Sequence, residues 1–254
     1  MLHGWLKKHS FALLLACPFY AFSTELSVVL AEQSIRLDYP QAARLETVLK
    51  DTHAQALLTN TPLESLQAQL FSSDKFTSIE SQVRQISAQL NALQQQDPDL
   101  GAENLLEQIQ EAQFLYREFT SLDYDVVQSQ REGNPLLSGE YQLHIGPRND
   151  KVIFMGAVKK QESVTQRAQW FLADYFKSIG EFRLDSASPS TAWVIQPDGK
   201  VVEAHYGIWN FQPHFVAPGA IVYVPFKSLP SEFTSLNQDI VQLLRHKVKN
   251  NEQQ

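Results

Sequence analysis

The stretch at residues 141–180, YQLHIGPRNDKVIFMGAVKKQESVTQRAQWFLADYFKSIG, decides the fold. Tyr141, Leu143 and Ile145 alternate with polar residues, which is the pattern of a strand with one buried face. Gly146-Pro147-Arg148-Asn149-Asp150 carries turn chemistry, and the apolar run 152–158 has the length of a buried strand. Ser163 and Gln166 have the spacing of a capping box, so a helix is expected behind them. It would bury Phe171, Leu172, Tyr175, Phe176 and Ile179 and stop at Gly180.

Toward the C-terminus, the apolar runs 192–195 and 201–202 flank Pro197-Asp198-Gly199, a hairpin turn, and Pro218-Gly219 introduces a last strand over 220–226. The order strand, strand, helix, strand, strand, strand is met most economically by a mixed sheet wrapped around one helix, the β-grasp arrangement of an α+β protein. Residues 236–248 then read as an amphipathic helix with Leu236, Ile240, Leu243, Leu244 and Val248 on one side, and Arg245, His246, Lys247 and Lys249 near its negative end. That helix either docks on its own domain or offers its apolar face to a partner or a membrane surface.

Toward the N-terminus, Leu26, Val28 and Leu30, then Ile35 and Leu37, alternate on either side of Ala31-Glu32-Gln33 and predict a hairpin. Pro40 stands where a first helical residue would, with Leu45, Val48 and Leu49 on one face up to His53 and Glu46 one turn from Lys50. Thr61 and Glu64 bracket Pro62 as the cap of a short helix. Phe76, Ile79, Val83, Ile86, Leu90 and Leu93 follow at alternating spacings of three and four, a coiled-coil seam. Asp97-Pro98-Asp99 and Gly101 interrupt it, and a second seam runs through Leu105, Ile109, Ala112, Tyr116 and Phe119. Together they predict an antiparallel helical hairpin over about 61–120.

The first residues read as an export signal: Lys7 and Lys8, the apolar run 11–16, and the small-residue site Ala21-Phe22-Ser23. The expected mature chain is periplasmic and lacks Cys17; the alternative is a lipobox, Leu14-Leu15-Ala16-Cys17, acylated at the cysteine. The expected divisions are a signal at 1–23, a first domain at 24–137, a second at 138–230 and a C-terminal helix and tail at 231–254. Loss of Lys7 and Lys8 takes the formal charge from −7 to −9, so the overall field does not draw the protein to nucleic acid. An acidic polysaccharide would need a local basic spot.

A mature chain without cysteine excludes thiol catalysis and cysteine-zinc sites. His53, His144, His205, His214 and His246 are scattered without metal-ligand spacing. Ser138-Gly139 lacks the first glycine of a nucleophile elbow, and no glycine loop suits a phosphate chain. Asp123 and Asp125 would lie side by side on a strand, more as solvated acids than as a catalytic pair. With Asp174 they are the acids on which an enzymatic alternative, a polysaccharide-modifying activity, would rest. No catalytic, metal or cofactor site is expected. Trp193, Tyr206, Trp209, Phe211, His214 and Phe215 concentrate aromatic surface that serves either as core or as a sugar-stacking platform, and Trp209 and His214 are its candidate contacts.

Five stretches, Asn134-Pro135-Leu136-Leu137-Ser138-Gly139-Glu140-Tyr141, Gly156-Ala157-Val158, Ile208-Trp209-Asn210, Pro218-Gly219 and Leu236-Asn237-Gln238-Asp239-Ile240-Val241, resemble in order and spacing the GfcC family of capsule and exopolysaccharide biosynthesis proteins. The resemblance implies a periplasmic protein of two β-grasp domains, a helical hairpin inserted in the first, and a C-terminal amphipathic helix. It implies a non-catalytic part in assembling or exporting a group 4 capsule or related exopolysaccharide. The implied partners are the surface polysaccharide and the outer-membrane export channel, with membrane contact possible through the C-terminal helix. It also places an arginine of interest, in a pocket at the end of the hairpin, on Arg117. Relatives have Gly-Arg-Leu-Pro where this chain has Tyr116-Arg117-Glu118-Phe119, so Glu118 stands ready to pair with Arg117. A guanidinium grips a carboxylate or phosphate through two parallel hydrogen bonds. The alternative for Arg117 is a helix-end arginine bonded to nearby carbonyls.

Overall fold

The computed structural model describes residues 25–249, so the export signal, the lipobox and Cys17 lie outside the described residues. The chain forms a mixed α+β structure with two five-stranded sheets. Strands β1 (Leu26–Leu30) and β2 (Ile35–Tyr39) make the expected hairpin, with Val28 opposite Leu37. A short strand β3 (Ala43–Arg44) then precedes helix α1 (Leu45–Thr59), which therefore starts later than Pro40 and runs past His53. Asn134 fixes this start: its side-chain oxygen accepts from the Glu46 N–H at 3.0 Å and its amide donates to the Glu46 carboxylate at 3.1 Å, which engages Glu46 away from Lys50.

The short helix expected after Thr61 is a single 3-10 turn, Ser65–Gln67, where the Glu64 carboxylate accepts from the Leu66 N–H at 3.1 Å. It leads into strand β4 (Gln69–Ser72), whose four residues are all buried. A strand covered on both faces carries no alternation, which is why the pattern concealed it. Helices α2 (Phe76–Gln96) and α3 (Ala102–Glu111) follow, packed on each other across a turn at Pro98–Leu100. The second seam ends early: α3 stops at Glu111, and Tyr116 lies on strand β5 (Tyr116–Glu118), paired with β4. Residues spaced by three and four suit a helix, but here the backbone between them is taken by the C-terminal segment, Phe114 bridging Lys247 and the Leu115 N–H donating to the His246 carbonyl.

After helix α4 (Tyr124–Ser129) and strand β6 (Leu136–Leu137), which pairs with β3, comes strand β7 (Gly139–His144). The sequence pattern places this strand in the second domain. It instead occupies the centre of the first sheet, parallel to β1 with Tyr141 opposite Val28 and antiparallel to β4, so the boundary at 137/138 moves beyond it. The physical reason is that β1 and β4 both need an inner partner, and Leu143 supplies the buried side chain between them.

The second unit comprises β8 (Lys151–Gly156), β9 (Glu162–Thr165), helix α5 (Leu172–Ile179), β10 (Thr191–Ile195), β11 (Val201–His205) and β12 (Ile221–Val224). Ser163 lies within β9 and caps nothing. The α5 start is closed by Asp174, whose carboxylate accepts from the Phe171 N–H at 2.9 Å. Numbered within each unit in chain order, both sheets read 2-1-5-3-4, with the first and last strands parallel at the centre.

Helix α6 (Leu236–Leu244) is shorter than expected and docks inward, burying Leu236, Ile240, Val241, Leu243 and Leu244. That face is therefore not available to a membrane, which corrects the membrane contact expected of it. Among the described residues no helix is long and apolar enough to cross a membrane. The cores are divided unequally. The first sheet and α1 enclose one cluster; the second sheet, α5 and α6 share theirs with Ile79, Ile86, Leu90 and Leu93 of α2 and Leu105 and Ile109 of α3. Although α2 and α3 interrupt the first sheet in sequence, they cover the second. Gln108 of α3 seals this contact, accepting from the Gly156 N–H at 2.9 Å and donating to its carbonyl at 3.1 Å.

Candidate functional site

Arg117 sits on β5 opposite Phe71, not at a helix end, and is 6% exposed. Successive strand residues point to opposite faces, so Glu118 turns away and pairs with Lys75 at 2.6 Å instead of with Arg117. The guanidinium reaches into the junction between the units. Its Nη2 donates to the Ala68 carbonyl of the first unit at 3.3 Å and to the Pro197 carbonyl of the second, while its Nε is buried without a partner. Burial pulls this group down to about 10, with Asp198 opposing the shift and Arg245 adding to it.

The C-terminal segment after α6 passes through the same junction. The Arg117 N–H donates to His246 Nδ1 at 3.0 Å, and the His246 ring lies between Tyr116 and Phe119, 5.3 and 5.2 Å from their centroids. Arg245 lies over the Phe119 ring at 4.1 Å and donates to the Gly199 carbonyl at 2.9 Å. Gln69 on β4 grips the segment from the other side: its amide donates to the Lys247 carbonyl at 3.0 Å and its oxygen accepts from the Lys249 N–H at 2.9 Å. Gln67 ties the first unit to the second in the same manner, through the Asn149 and Pro218 carbonyls, each at 2.8 Å, and the Asn149 N–H at 2.7 Å.

Basic residues expected to complement a helix end are thus buried between the units. Lys249 pairs with Glu32 at 3.2 Å, and burial, only partly offset by Glu32, holds its ammonium below the usual lysine range. Lys247 is 3% exposed, has a single 3.4 Å contact to the Val248 carbonyl, and is pushed down by burial. A cleft of about 40 Å³ opens here, lined by Gln67, Gln69, Arg117, Lys247 and Lys249 among others. A wider depression of about 230 Å³ lies on the other side of Gln67 and Pro197, with Glu64, Arg148 and Asp198 on its walls. The sequence singled out Arg117 alone; Gln69 and Lys247 gave no signal except the crowding of charge after α6.

The remaining candidates lie elsewhere. Ile208, Trp209, Phe211 and Phe215 are exposed, at 98%, 73%, 46% and 62%, on the loop between β11 and β12. The loop is braced by the His214 carbonyl, which accepts from the Leu172 N–H at 2.8 Å, and by Phe171 packed on Phe215 at 4.8 Å. None of these aromatics lines the cleft at Arg117. Tyr206 is a core residue stacked on Phe176, and Trp193 is half-buried against the core, stacked on Tyr223. Asp123 is not on a strand: its carboxylate caps α4, accepting from the Asp125 and Val126 N–H groups and from Ser65 Oγ. Asp174 caps α5. Among the described residues no three His, Cys, Asp or Glu come together as metal ligands.

Two sheets of one topology, held by a C-terminal segment threaded around a buried arginine, define a two-unit α+β protein whose most distinctive site is a cation-lined interdomain cleft. Residues 23–148 match the family described as Capsule biosynthesis GfcC, N-terminal, and residues 160–249 match Capsule biosynthesis GfcC C-terminal. The chain belongs to the GfcC family. A relative described as "Uncharacterized protein YjbG", from Escherichia coli (strain K12), is 32% identical over 174 residues, covering 65% of this chain and 70% of that protein.

Proposed function

We propose that the protein is a non-enzymatic periplasmic accessory factor in capsule or exopolysaccharide assembly and export, binding the growing polysaccharide or the outer-membrane export channel. The observation that carries this reading is family membership across both units, under a description that names capsule biosynthesis. We read each unit as a β-grasp domain, from the shared 2-1-5-3-4 order, and α2 with α3 as a hairpin inserted in the first. The acids considered for catalysis support a non-enzymatic role in two cases, because Asp123 and Asp174 are spent on helix starts. Arg117 and its basic neighbours supply the local positive spot an acidic chain needs for an anionic partner. A docking role toward protein is favoured by one specific feature, the exposed Ile208 and Trp209.

The test is a clean deletion beside a complemented strain, with surface polysaccharide quantified as cell-attached, released and periplasmic pools. Loss of the attached pool, restored by complementation, is the expected result. Unchanged pools would remove the capsule role. Pull-down of channel components without glycan binding would favour the protein-docking form.

A further inference from the structure

The loop 206–220, between β11 and β12, carries no Lys, Arg, Asp or Glu, although these residues make up 19% of the chain. It nevertheless faces solvent: Ile208, Trp209, Phe211 and Phe215 all stand exposed, Ile208 almost completely. An apolar tip of this kind marks a contact surface. Its shape is fixed from within. The Tyr206 and Gly207 N–H groups both donate to the Ser190 carbonyl, at 2.9 and 3.3 Å, the Asn210 N–H donates to the Gly207 carbonyl at 3.2 Å, and the Gln212 N–H donates to the His205 carbonyl at 3.1 Å. A β-carbon on Gly207 would stand 2.4 Å from the Ser190 β-carbon, so the turn lies tight against the start of β10. Behind the tip, Phe171 packs on Phe211 and Phe215, with ring centroids 6.1 and 4.8 Å apart. The loop therefore presents its side chains without first having to be ordered.

We infer that this loop is a membrane-contact site, which seats the protein on a phospholipid bilayer with Ile208 and Trp209 entering the boundary between headgroups and acyl chains. Exposure alone suits a protein partner as well, but the size, chemistry and charge of the surface select lipid. The exposed parts of three rings and one isoleucine come to roughly 500 Å², short of the ~800 Å² that each partner gives to a standard protein interface. A bilayer sets no such minimum, because binding grows with whatever apolar area enters it. Trp209 joins an apolar ring body to one N–H, the combination that collects at headgroup level. The turn's hydrogen bonds are closed within the protein, as they must be where lipid cannot replace them. Charge is complementary where it occurs: Arg167, on the segment leading into Phe171, is exposed, with its guanidinium 4.6 Å from the Trp170 ring centroid and no ion pair among the described residues. It is left for a lipid phosphate. With α6 docked inward, the contact would be peripheral and made by this loop. The inference does not rest on the capsule role and stands or falls without it.

Co-sedimentation with vesicles tests it, using the chain from residue 24 onward, which holds every described residue and leaves out the export signal and Cys17. Vesicles of phosphatidylethanolamine with phosphatidylglycerol should bind the protein and shift its tryptophan emission to the blue. Vesicles of phosphatidylcholine alone should bind it more weakly. Ile208→Ser combined with Trp209→Ser alters two exposed positions, so the unfolding temperature should stay within about 2 °C while partitioning falls at least about tenfold. Arg167→Gln should lower partitioning onto the phosphatidylglycerol vesicles about fivefold and leave that onto phosphatidylcholine unchanged. No vesicle binding by the wild type, or undiminished binding by the double variant, overturns the site. Capture of export-channel components that the double variant abolishes, without vesicle binding, would overturn it in favour of a protein partner.

Discussion

The Phe119 ring lies 2.6 Å from the point where a β-carbon on Gly199 would sit, and Gly199 holds φ at +83°. The β10–β11 turn of the second unit therefore meets the end of β5 of the first through a contact that only glycine permits. Arg245 closes it, lying over Phe119 while donating to the Gly199 carbonyl. Gly199→Ala adds left-handed strain of about 1–2 kcal/mol to a clash with a ring that Arg245 covers on one face. We expect a loss of about 2–4 kcal/mol, seen as a fall in Tm of about 5–12 °C. Phe119→Ala should recover the steric part alone, so a double-mutant cycle must show coupling between the two positions. Strict additivity would mean that the units do not meet here in solution.

Arg117→Ala should be destabilising as well as functionally disabling. The guanidinium satisfies the Ala68 and Pro197 carbonyls, which belong to different units, and its loss leaves both to be solvated and a cavity behind. A cost of about 2–4 kcal/mol follows, measurable by chemical denaturation. The position is thus unsuited to a clean functional test by truncation. Polysaccharide output should be compared between Arg117→Ala and Lys247→Met at equal folded protein. Unaltered stability in Arg117→Ala would contradict the buried, two-carbonyl geometry.

Gln69 is the residue on which the C-terminal segment depends. Its side chain makes a paired contact with the Lys247 carbonyl and the Lys249 N–H, in the position a neighbouring strand would take. Gln69→Leu removes both bonds and leaves two buried backbone groups unmet, at about 1–3 kcal/mol each before relaxation. Amide exchange at Lys249 should accelerate by tenfold or more while exchange within β1 and β7 stays unchanged. Equal exchange at Lys249 in the two proteins would show that the segment is held by its other contacts, the pairing of Phe114 with Lys247 among them.

Much of this architecture was legible in residue patterns, and the misreadings have common physical causes. The hairpin at Leu26 to Leu37 and the turn at Pro197-Asp198-Gly199 were readable because strand alternation and turn residues act locally. β4 was hidden because both of its faces are covered, so Gln69 and Ser72 are as buried as Leu70 and Phe71. β7 was found as a strand but given to the wrong sheet, because nothing in Tyr141, Leu143 and Ile145 says which edge they join. The order strand, strand, helix, strand, strand, strand held for the second unit only after β8 replaced β7 at its head. Ser163 and Asp174 show a similar ambiguity, since a capping pattern marks a helix start only when the backbone around it is free to turn. At the site, Arg117 was named but its setting was not. The charges at Arg245 to Lys249 suit a helix end and a buried junction equally well, and only the pairing of Phe114 with Lys247 decides between them.

Acidification should loosen the junction through His246. Its Nδ1 accepts the Arg117 N–H, which requires the neutral ring protonated at Nε2. Burial, then the charges of Arg245 and Arg117, push its pKa down to about 4, with the Leu115 backbone opposing them. Because the folded value lies below the unfolded one of about 6.5, the unfolded chain binds the proton more readily. The stabilisation is fully present above about pH 6.5 and is lost as pH falls toward 4. His246 is partly exposed, so solvent screening limits the loss to about 1–2 kcal/mol. His144, whose pKa burial also lowers, adds a slope of the same sign. Denaturation midpoints between pH 7 and pH 4.5 should therefore fall steadily in the wild type. His246→Gln, whose amide oxygen keeps an acceptor for the Arg117 N–H, should flatten most of that slope while leaving stability at pH 7 within about 1 kcal/mol. An identical slope in the two proteins would remove His246 from the account.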